Sequence, residues 1–217
     1  MTTRSPWKGV RRARAAMLVF AAVSMLVGER TAMAGEPTDQ IRAHIAAMYG
    51  ALGGSASSPS PSRMASVRKV ADQMFDWSAM AKEALGDHWA KRNPEERNEF
   101  ARLFVSLFED GYLSKIRLAE ADKFEYLGDT AQGDEAVVRT RVVTRNGTAI
   151  LVSYRARREE AGRWRVYDLD VERISLVRNY RAQFDSIIRR TSFEQLLVRM
   201  KALEDKRTSF DSGRAGS

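Results

Sequence analysis

The sequence predicts an α+β domain built around one curved, four-stranded antiparallel sheet that helices cover on one face. Two changes of pattern along the chain support this prediction. Apolar residues recur with helical spacing up to about residue 119, follow an alternating pattern between Lys123 and Val166, and return to helical spacing from Leu176. A parallel sheet needs a crossover connection, usually a helix, between its strands. Here the predicted strands follow one another with no helix between them, which indicates an antiparallel sheet and is typical of an α+β fold.

The first 34 residues have the three parts of a secretory signal. A basic start is followed by an apolar run from Ala15 to Val27 and then by Ala32-Met33-Ala34, a small-residue cleavage pattern. The apolar run of 13 residues is shorter than the roughly 20 that span a bilayer as a helix. We therefore expect cleavage near Ala34 and export of a soluble protein, with an uncleaved membrane anchor as the alternative.

Composition argues against several classes of function. The chain has 36 basic and 28 acidic residues and a formal net charge of +8; residues 1–34 hold six of the basic residues and one acidic residue, which leaves +3 on the remainder. That excess is too small to indicate nucleic acid as a partner. Cysteine is absent, so neither disulfides nor thiolate metal sites are available, and the fold depends on packing alone.

A polar segment separates the first two predicted helices. Thr38 is placed to cap the first helix, whose apolar stripe follows spacings of four, three and four: Ile41, Ile45, Met48 and Leu52. Residues 53–62 contain only glycine, serine, alanine and proline and predict a flexible loop within one domain. The second helix is expected from about Arg63 to Phe75.

Two further helices precede the sheet. The third is short, with Asp76 or Ser78 as its cap and Gly86 as its end. The fourth begins at Asn93-Pro94-Glu95-Glu96, which supplies a cap, a proline at the first helical position and a glutamate that completes a capping box. This helix is expected to continue to about Ala119. It carries a broad apolar face: Phe100, Leu103, Phe104, Leu107, Phe108, Tyr112 and Leu113.

Four strands follow, and their two faces differ in polarity. The positions expected to face the helices are Phe124, Tyr126, Val138, Thr140, Val142, Ile150, Val152, Tyr154, Trp164 and Val166. The opposite positions include Arg139, Arg141, Ser153, Arg155, Arg163 and Arg165. Asn146-Gly147 predicts a hairpin, and Glu159 to Gly162 predicts a second reversal. One apolar face and one solvent-exposed polar face are expected when helices cover a single side of an antiparallel sheet.

Two helices and a tail complete the predicted domain. The apolar residues of the two helices are Leu176, Val177, Tyr180, Phe184, Ile187, Ile188, Phe193, Leu196, Leu197 and Met200. Residues 35–205 are therefore expected to form one domain, after a signal over residues 1–34. Residues 206–217 are expected to be a polar, flexible tail.

No catalytic or metal-binding motif is found. The only histidines, His44 and His88, are far apart, and the glycines form no nucleotide-binding pattern. Asp168 and Asp170 follow an apolar strand and leave two interpretations open. A carboxylate with a raised pKa in an apolar cavity could act as a base, or it could hold the next helix through nearby arginines. The second is favoured, so no enzyme, cofactor or metal is predicted.

Large apolar residues on the fourth helix, the sheet and the last helices all compete for one interior. They could form an ordinary packed core. Alternatively, the layers are held apart around an elongated apolar cavity that accepts an acyl chain. Composition and periodicity do not separate these two interpretations.

Two groups of motifs resemble one protein family. The first contains Phe75–Ala81 (FDWSAMA), Ala84–Trp89 (ALGDHW) and Asn93–Arg97 (NPEER) with Phe100, and the second contains Gly162–Asp168 (GRWRVYD) and Ile174–Phe184 (ISLVRNYRAQF). At these spacings they are similar to the MlaC family of periplasmic phospholipid-binding proteins, also called toluene-tolerance proteins or ABC transporter auxiliary components. The resemblance extends from about Pro37 to Leu203.

The resemblance implies a soluble periplasmic carrier that is not an enzyme. Such a carrier holds the acyl chains of a phospholipid between sheet and helices, leaves the head group near solvent, and shuttles lipid between the inner and outer membranes. The implied partners are an inner-membrane ABC transporter complex and an outer-membrane lipoprotein complex. A hopanoid-associated carrier of the same fold, a small cavity enzyme and a purely structural envelope protein remain alternatives.

Side-chain alternation and helix periodicity select the residues expected to line the lipid cavity. They are Phe104, Leu107, Phe108, Val138, Val142, Ile150, Val152, Tyr154, Trp164 and Val166. On the other face of the sheet, basic residues leave two interpretations open: a solvated surface, which is favoured, or a docking surface for an acidic partner. The basic residues concerned are Arg139, Arg141, Arg155 and Arg165.

Overall fold

A computed structural model describes residues 36–52, 60–109, 111, 121–160 and 162–215, with side chains up to Lys206. This part of the chain contains six α-helices, one 3₁₀-helix and five strands. In chain order they are α1 (Glu36–Leu52), α2 (Pro61–Met74), α3 (Trp77–Leu85), the 3₁₀-helix (Gly86–Lys91), α4 (Pro94–Phe108), β1 (Ala121–Gln132), β2 (Glu135–Thr144), β3 (Ala149–Arg158), β4 (Trp164–Val171), β5 (Ile174–Ser175), α5 (Leu176–Arg190) and α6 (Phe193–Ala215).

The strands form one antiparallel sheet in the order β1-β2-β3-β4-β5. The predicted α+β class is confirmed, and the sheet has five strands where four were predicted. The additional strand, β5, pairs only Ser175 with Asp170 and Ile174 with Val171. A strand of two residues is too short to produce a periodic pattern, so alternation could not reveal it.

Both predicted reversals between strands are confirmed. Gly147 lies between β2 and β3 with φ of +82°, and the backbone N–H of Thr144 donates to the carbonyl of Thr148 across this turn. Gly162 lies between β3 and β4 with φ of +75°. Both glycines adopt a left-handed conformation that costs other residues steric strain.

A bulge in β4 changes which of its residues face the helices. Ala156 pairs with Val166, but Arg155 pairs with Asp168, so one residue of β4 is unpaired between them. The alternation predicted up to Val166 is therefore reversed beyond it, and Leu169 shares a face with Val166. A bulge reverses the facing of all later residues because side chains alternate with a period of two.

The start of α1 differs from its prediction. Thr38 was expected to cap this helix, but α1 begins at Glu36, and Thr38 lies in its first turn, fully buried. The Thr38 hydroxyl instead donates to Asp129 Oδ1 of β1 at 2.6 Å. Thr38 therefore joins the helix to the sheet, which is a tertiary role that local sequence does not reveal.

Helix α2 starts two residues earlier than predicted. Ser60 is its cap, with the side chain accepting from the backbone N–H of Arg63, and Pro61 is the first helical residue. The predicted loop over residues 53–62 therefore ends at Ser60. Its residues 53–59 lie outside the described part of the chain.

The predicted starts of α3 and α4 are confirmed. Asp76 caps α3 by accepting from the backbone N–H of Ala79 at 2.9 Å, and Gly86 ends the helix with φ of +58°. Asn93 and Glu96 form the reciprocal capping box of α4, with hydrogen bonds of 2.8 and 2.9 Å.

The end of α6 differs from the sequence prediction, whereas the predicted end of α4 lies outside the described residues. As an α-helix, α4 ends at Phe108, and the rest of its predicted length, to residue 119, lies mostly outside the described residues. Helix α6 continues to Ala215. Residues 206–215, expected as a tail, are thus helical in the structure.

The helices are arranged around the sheet in two groups. Helix α1 contacts β1, β2 and β4 and packs beside α2, while α2, α3 and α5 contact β4. Helices α4 and α6 pack on each other and on α3 and α5. The buried side chains form one continuous apolar cluster through both groups, as expected for a single domain.

Candidate functional site

The inner face of the sheet, which faces α1, differs in burial between its two ends. We call one end the closed end: Ala136, Val138, Ala156 and Val166, all at most 3% exposed. We call the other the open end: Phe124, Val142 and Ile150, all half-buried. The open-end residues are directly paired neighbours across β1, β2 and β3. A strip of adjacent apolar side chains is thus incompletely covered.

Helix α1 runs along the inner face from the closed end to the open end. Near its start, the Gln40 side chain accepts from the backbone N–H of Trp164, the first residue of β4, at 2.9 Å. Near its end, the ring of Tyr49 packs edge-on against Phe124 of the open end, with centroids 5.0 Å apart. The described part of α1 stops three residues later, at Leu52.

Hydroxyl groups lie next to the open end. Thr140 is buried, and its hydroxyl donates to the carbonyl of Val152 at 3.2 Å. Burial raises the pKa of Tyr154, and the nearby Thr140 hydroxyl opposes part of this rise. The hydroxyl of Tyr49 is buried and has no hydrogen-bond partner among the described residues. Burial is the main cause of the raised pKa of Tyr49, with Tyr154 and Tyr126 contributing.

The predicted lining residues fall in three places. Val142 and Ile150 lie at the open end, with Val152 and Tyr154 in the next rows of the same face. Val138 and Val166 lie in the closed end. The remaining residues, Phe104, Leu107, Phe108 and Trp164, lie away from the open end.

The α4 residues belong to an aromatic cluster within the helices. Phe104 contacts Tyr180 and Phe184 of α5, with ring centroids 5.5 and 6.5 Å apart. Phe108 contacts Phe75 at 5.9 Å, and Leu107 is half-buried. Their place in a lipid site stays a prediction.

Trp164 borders a polar cleft. The cleft has a volume of about 270 Å³, and its lining is Gln40, His44, Asp72, Gln73, Arg163, Trp164 and Arg165. The indole N–H of Trp164 is buried without a hydrogen-bond partner among the described residues. Arg165 lies on the outer face as expected, opposite Arg157, and donates to the carbonyl of Phe75. Polar surroundings of this kind suit water better than hydrocarbon.

Three aromatic residues at or beside the open end were not among the predicted lining. Phe124 and Tyr126 were predicted as inward strand residues, and the register pairs them with Val142 and Thr140. Tyr49 follows Ile45 by four residues, which places it on the sheet-facing stripe of α1. Strand pairing and this spacing are the signals that could have identified them.

Asp168 holds the start of α5. It is 7% exposed and accepts from the backbone N–H groups of Leu169 and Val177, at 2.8 and 3.1 Å, and from the hydroxyl of Ser175 at 2.6 Å. Burial raises its pKa, and these hydrogen bonds oppose the rise. The register places Asp168 opposite Arg155, on the face away from the open end.

Asp170 is also engaged by basic residues. Its carboxylate lies 3.2 Å from Arg155 Nε and 3.8 Å from an Arg178 nitrogen. Both aspartates thus stabilise the link from β4 to α5, in agreement with the interpretation favoured from the sequence.

The two histidines lie in separate environments. His88 Nε2 is 3.0 Å from Asp185 Oδ1. Burial, and then the positive charge of Arg165, lower the pKa of His44. Among the described residues, no group of three or more His, Cys, Asp or Glu side chains could hold a metal ion. None of the helices searched in that same part of the chain is long and apolar enough to cross a membrane.

Fold and site together define a class of protein: an α+β domain in which one face of an antiparallel sheet is covered by helices and is incompletely closed at one end. Residues 51–202 match the family model described as MlaC protein. This match covers more than half of the chain, and the protein therefore belongs to the MlaC family. The predicted resemblance is confirmed.

Two known proteins are similar to this chain. The intermembrane phospholipid transport system binding protein MlaC of Haemophilus influenzae is 24% identical over 121 residues, which cover 54% of this chain and 56% of that protein. The chain thus matches only about half the length of this relative. The solved structure of a phospholipid-binding protein from Ralstonia solanacearum in complex with a phospholipid has a TM-score of 0.65 at 20% identity, over 79% of this chain and 98% of that one. This second match shows the fold.

Proposed function

We propose that this protein is a soluble periplasmic carrier that binds the acyl chains of a phospholipid and moves lipid between the inner and outer membranes. The observation that carries the proposal is the open end, where Phe124, Val142 and Ile150 form a half-buried apolar strip in a member of the MlaC family. The names of the two similar proteins, one from phospholipid transport and one bound to a phospholipid, support the same ligand.

The energetics of transfer explain why a carrier is needed. Transfer of an acyl chain of about 16 carbons from the membrane into water costs about 12 kcal/mol of free energy, at about 0.8 kcal/mol per methylene. Spontaneous movement of a two-chain lipid across an aqueous gap is therefore very slow. A protein that covers the chains with apolar side chains makes transfer between membranes nearly isoenergetic, and the carrier needs no catalytic residue.

The open end suits an acyl chain for a physical reason. Partly exposed apolar side chains gain free energy when a ligand covers them, at about 25 cal/mol per Å² of apolar surface. The next row of the inner face, with Val152 and Val171, continues the apolar surface inward. A chain that enters at the open end thus finds apolar contacts along its first several carbons.

The direct test is the identity of any bound lipid. The protein is purified from the periplasm without detergent, and an organic extract is analysed by mass spectrometry. We expect phospholipid in the extract, and rebinding of phospholipid after lipid removal. An empty extract together with no binding of added lipid would contradict the proposal, and a hopanoid in place of phospholipid would favour the related polycyclic-lipid carrier. N-terminal sequencing of the same sample should begin at Gly35, after the proposed cleavage near Ala34.

As the finer part of this function, we place the protein in an Mla-type lipid transport system. Its partners would be an inner-membrane ABC transporter complex and an outer-membrane lipoprotein complex. The outer face of the sheet offers a candidate docking surface, because Arg139 and Arg141 are exposed there. Both have local contacts: Arg139 donates to Thr130, and Arg141 lies 3.1 Å from Glu125.

Charge reversal tests the docking surface. The double substitution Arg139→Glu and Arg141→Glu should weaken binding to the periplasmic part of the transporter about tenfold. The remaining binding should be less sensitive to salt, because charged residues at the rim of an interface mainly set the association rate and its salt dependence. Lipid binding should be unchanged, since both residues lie on the face away from the open end. Unchanged affinity for the transporter would exclude this surface.

A further inference from the structure

The Tyr49 hydroxyl is a polar group that no hydrogen bond satisfies among the described residues. It is buried and unpaired among the described residues, and its ring packs edge-on against Phe124 of the open end. Buried hydroxyls in folded proteins are almost always hydrogen-bonded, because an unpaired one loses its bonds to water and gains nothing in return. An unpaired donor beside a candidate ligand site therefore indicates that the ligand itself supplies the hydrogen-bond acceptor.

The hydroxyl of Thr140, on the same face of the sheet, is already engaged. The single hydroxyl proton of Thr140 is donated to the carbonyl of Val152. The Tyr49 hydroxyl, by contrast, has no hydrogen-bond partner among the described residues and keeps its proton to donate. Burial raises the pKa of Tyr49, so the phenol stays protonated, and remains a donor, at neutral pH.

The surroundings restrict the chemistry of the missing acceptor. The side chains of the open end favour hydrocarbon, and Phe124 of this strip packs against the Tyr49 ring, so the ligand is mainly apolar on this side of the hydroxyl. A neutral phenol within such a site suits a neutral acceptor better than a full negative charge, which would lose its hydration. An ester carbonyl at the head of an acyl chain meets both requirements.

Resting on the proposed function, we propose that the Tyr49 hydroxyl donates a hydrogen bond to an ester carbonyl of the bound lipid. Tyr49 then acts as a specificity-determining residue, which favours lipids with ester-linked chains over lipids whose chains lack a carbonyl at that position. It also fixes how deeply the chains enter, because the carbonyl must reach the hydroxyl.

Two matched lipids isolate the carbonyl. Binding of a diacyl phosphatidylglycerol and of the dialkyl ether lipid with the same head group and chain lengths is measured for the wild type and for Tyr49→Phe. The wild type should bind the diacyl lipid about fivefold more tightly, which corresponds to one neutral hydrogen bond. Tyr49→Phe should lose this preference by weakening only diacyl binding. Tyr167→Phe, whose ring lies against Arg157, is the control and should bind like the wild type.

Thermal unfolding of the lipid-free protein separates a ligand-binding hydroxyl from a structural one. Tyr49→Phe removes a group that is unpaired without lipid, so its melting temperature should equal or exceed that of the wild type. A clear decrease would indicate a structural role and overturn the inference.

The binding outcomes also distinguish the inference from the proposed function. If the wild type binds both lipids equally well, or if Tyr49→Phe weakens both alike, the carbonyl contact is wrong while the carrier function stands. If neither lipid binds the wild type, the carrier function itself fails.

Discussion

The two ends of the inner sheet face share strands β2 and β3 but are covered differently. At the closed end, Val166 is fully buried, and the backbone N–H of Asp76 donates to its carbonyl at 2.8 Å. At the open end, Phe124 and Ile150 carry larger side chains and are only half-buried. Two large strand side chains on this face are thus incompletely covered.

This difference separates stability from binding. Side chains with full coverage contribute to the free energy of unfolding, since every contact they make exists without a ligand. Side chains with partial coverage contribute less, and they retain apolar surface that a ligand can cover. We therefore expect substitutions at the closed end to affect folding and substitutions at the open end to affect lipid binding.

The largest expected effect is at the closed end. Val138 is 0% exposed, so Val138→Asp buries a carboxylate among apolar side chains and should lower the free energy of unfolding by about 4 kcal/mol or more. Ile150→Asp makes the same change on the same face, but the half-buried carboxylate keeps contact with water. Its cost should be about 1–2 kcal/mol. Urea denaturation of the two variants measures both values, and equal losses would contradict the distinction between the two ends.

The second effect is on binding and uses adjacent residues of β3. Ile150 points to the inner face, whereas Leu151 is exposed and points away. Ile150→Asp should weaken phospholipid binding about tenfold or more, because hydrocarbon must then cover a charged group. Leu151→Asp should bind as the wild type does. Similar losses in both variants would show that charge near the site, and not the open end itself, controls binding.

Sequence patterns predicted the fold well where they are local and periodic. The capping box of Asn93 and Glu96, the turn at Asn146-Gly147 and the inward positions of β2 and β3 all depend on neighbours within a few residues. The role of Thr38 and the bulge in β4 did not follow from such patterns. Thr38 bonds to Asp129, which is 91 positions away, and a bulge is defined by pairing with another strand.

The candidate site was only partly predictable for a related reason. Alternation identifies which residues face inward, and Val142 and Ile150 were correctly assigned to the inner face. It does not show which inward residues remain half-buried, because coverage depends on where α1 lies. The approach of Tyr49 to Phe124 is a tertiary contact, so the hydroxyl beside the open end could not be assigned from the pattern of either element alone.

The smallest of these effects tests the face opposite the ligand. Asp168→Asn retains one oxygen for the backbone N–H groups of Leu169 and Val177 but replaces the oxygen that accepts from Ser175. The loss of one acceptor at the start of α5 should lower the free energy of unfolding by about 1 kcal/mol. Phospholipid binding should remain at the wild-type level, because the residue lies away from the open end. Isothermal titration with lipid, alongside urea denaturation, checks both values. If a stably folded Asp168→Asn protein binds lipid normally but fails to restore the activity of the wild type in cells, the cavity-enzyme alternative is favoured. A catalytic base at this position would lose its proton-accepting oxygen on conversion to the amide.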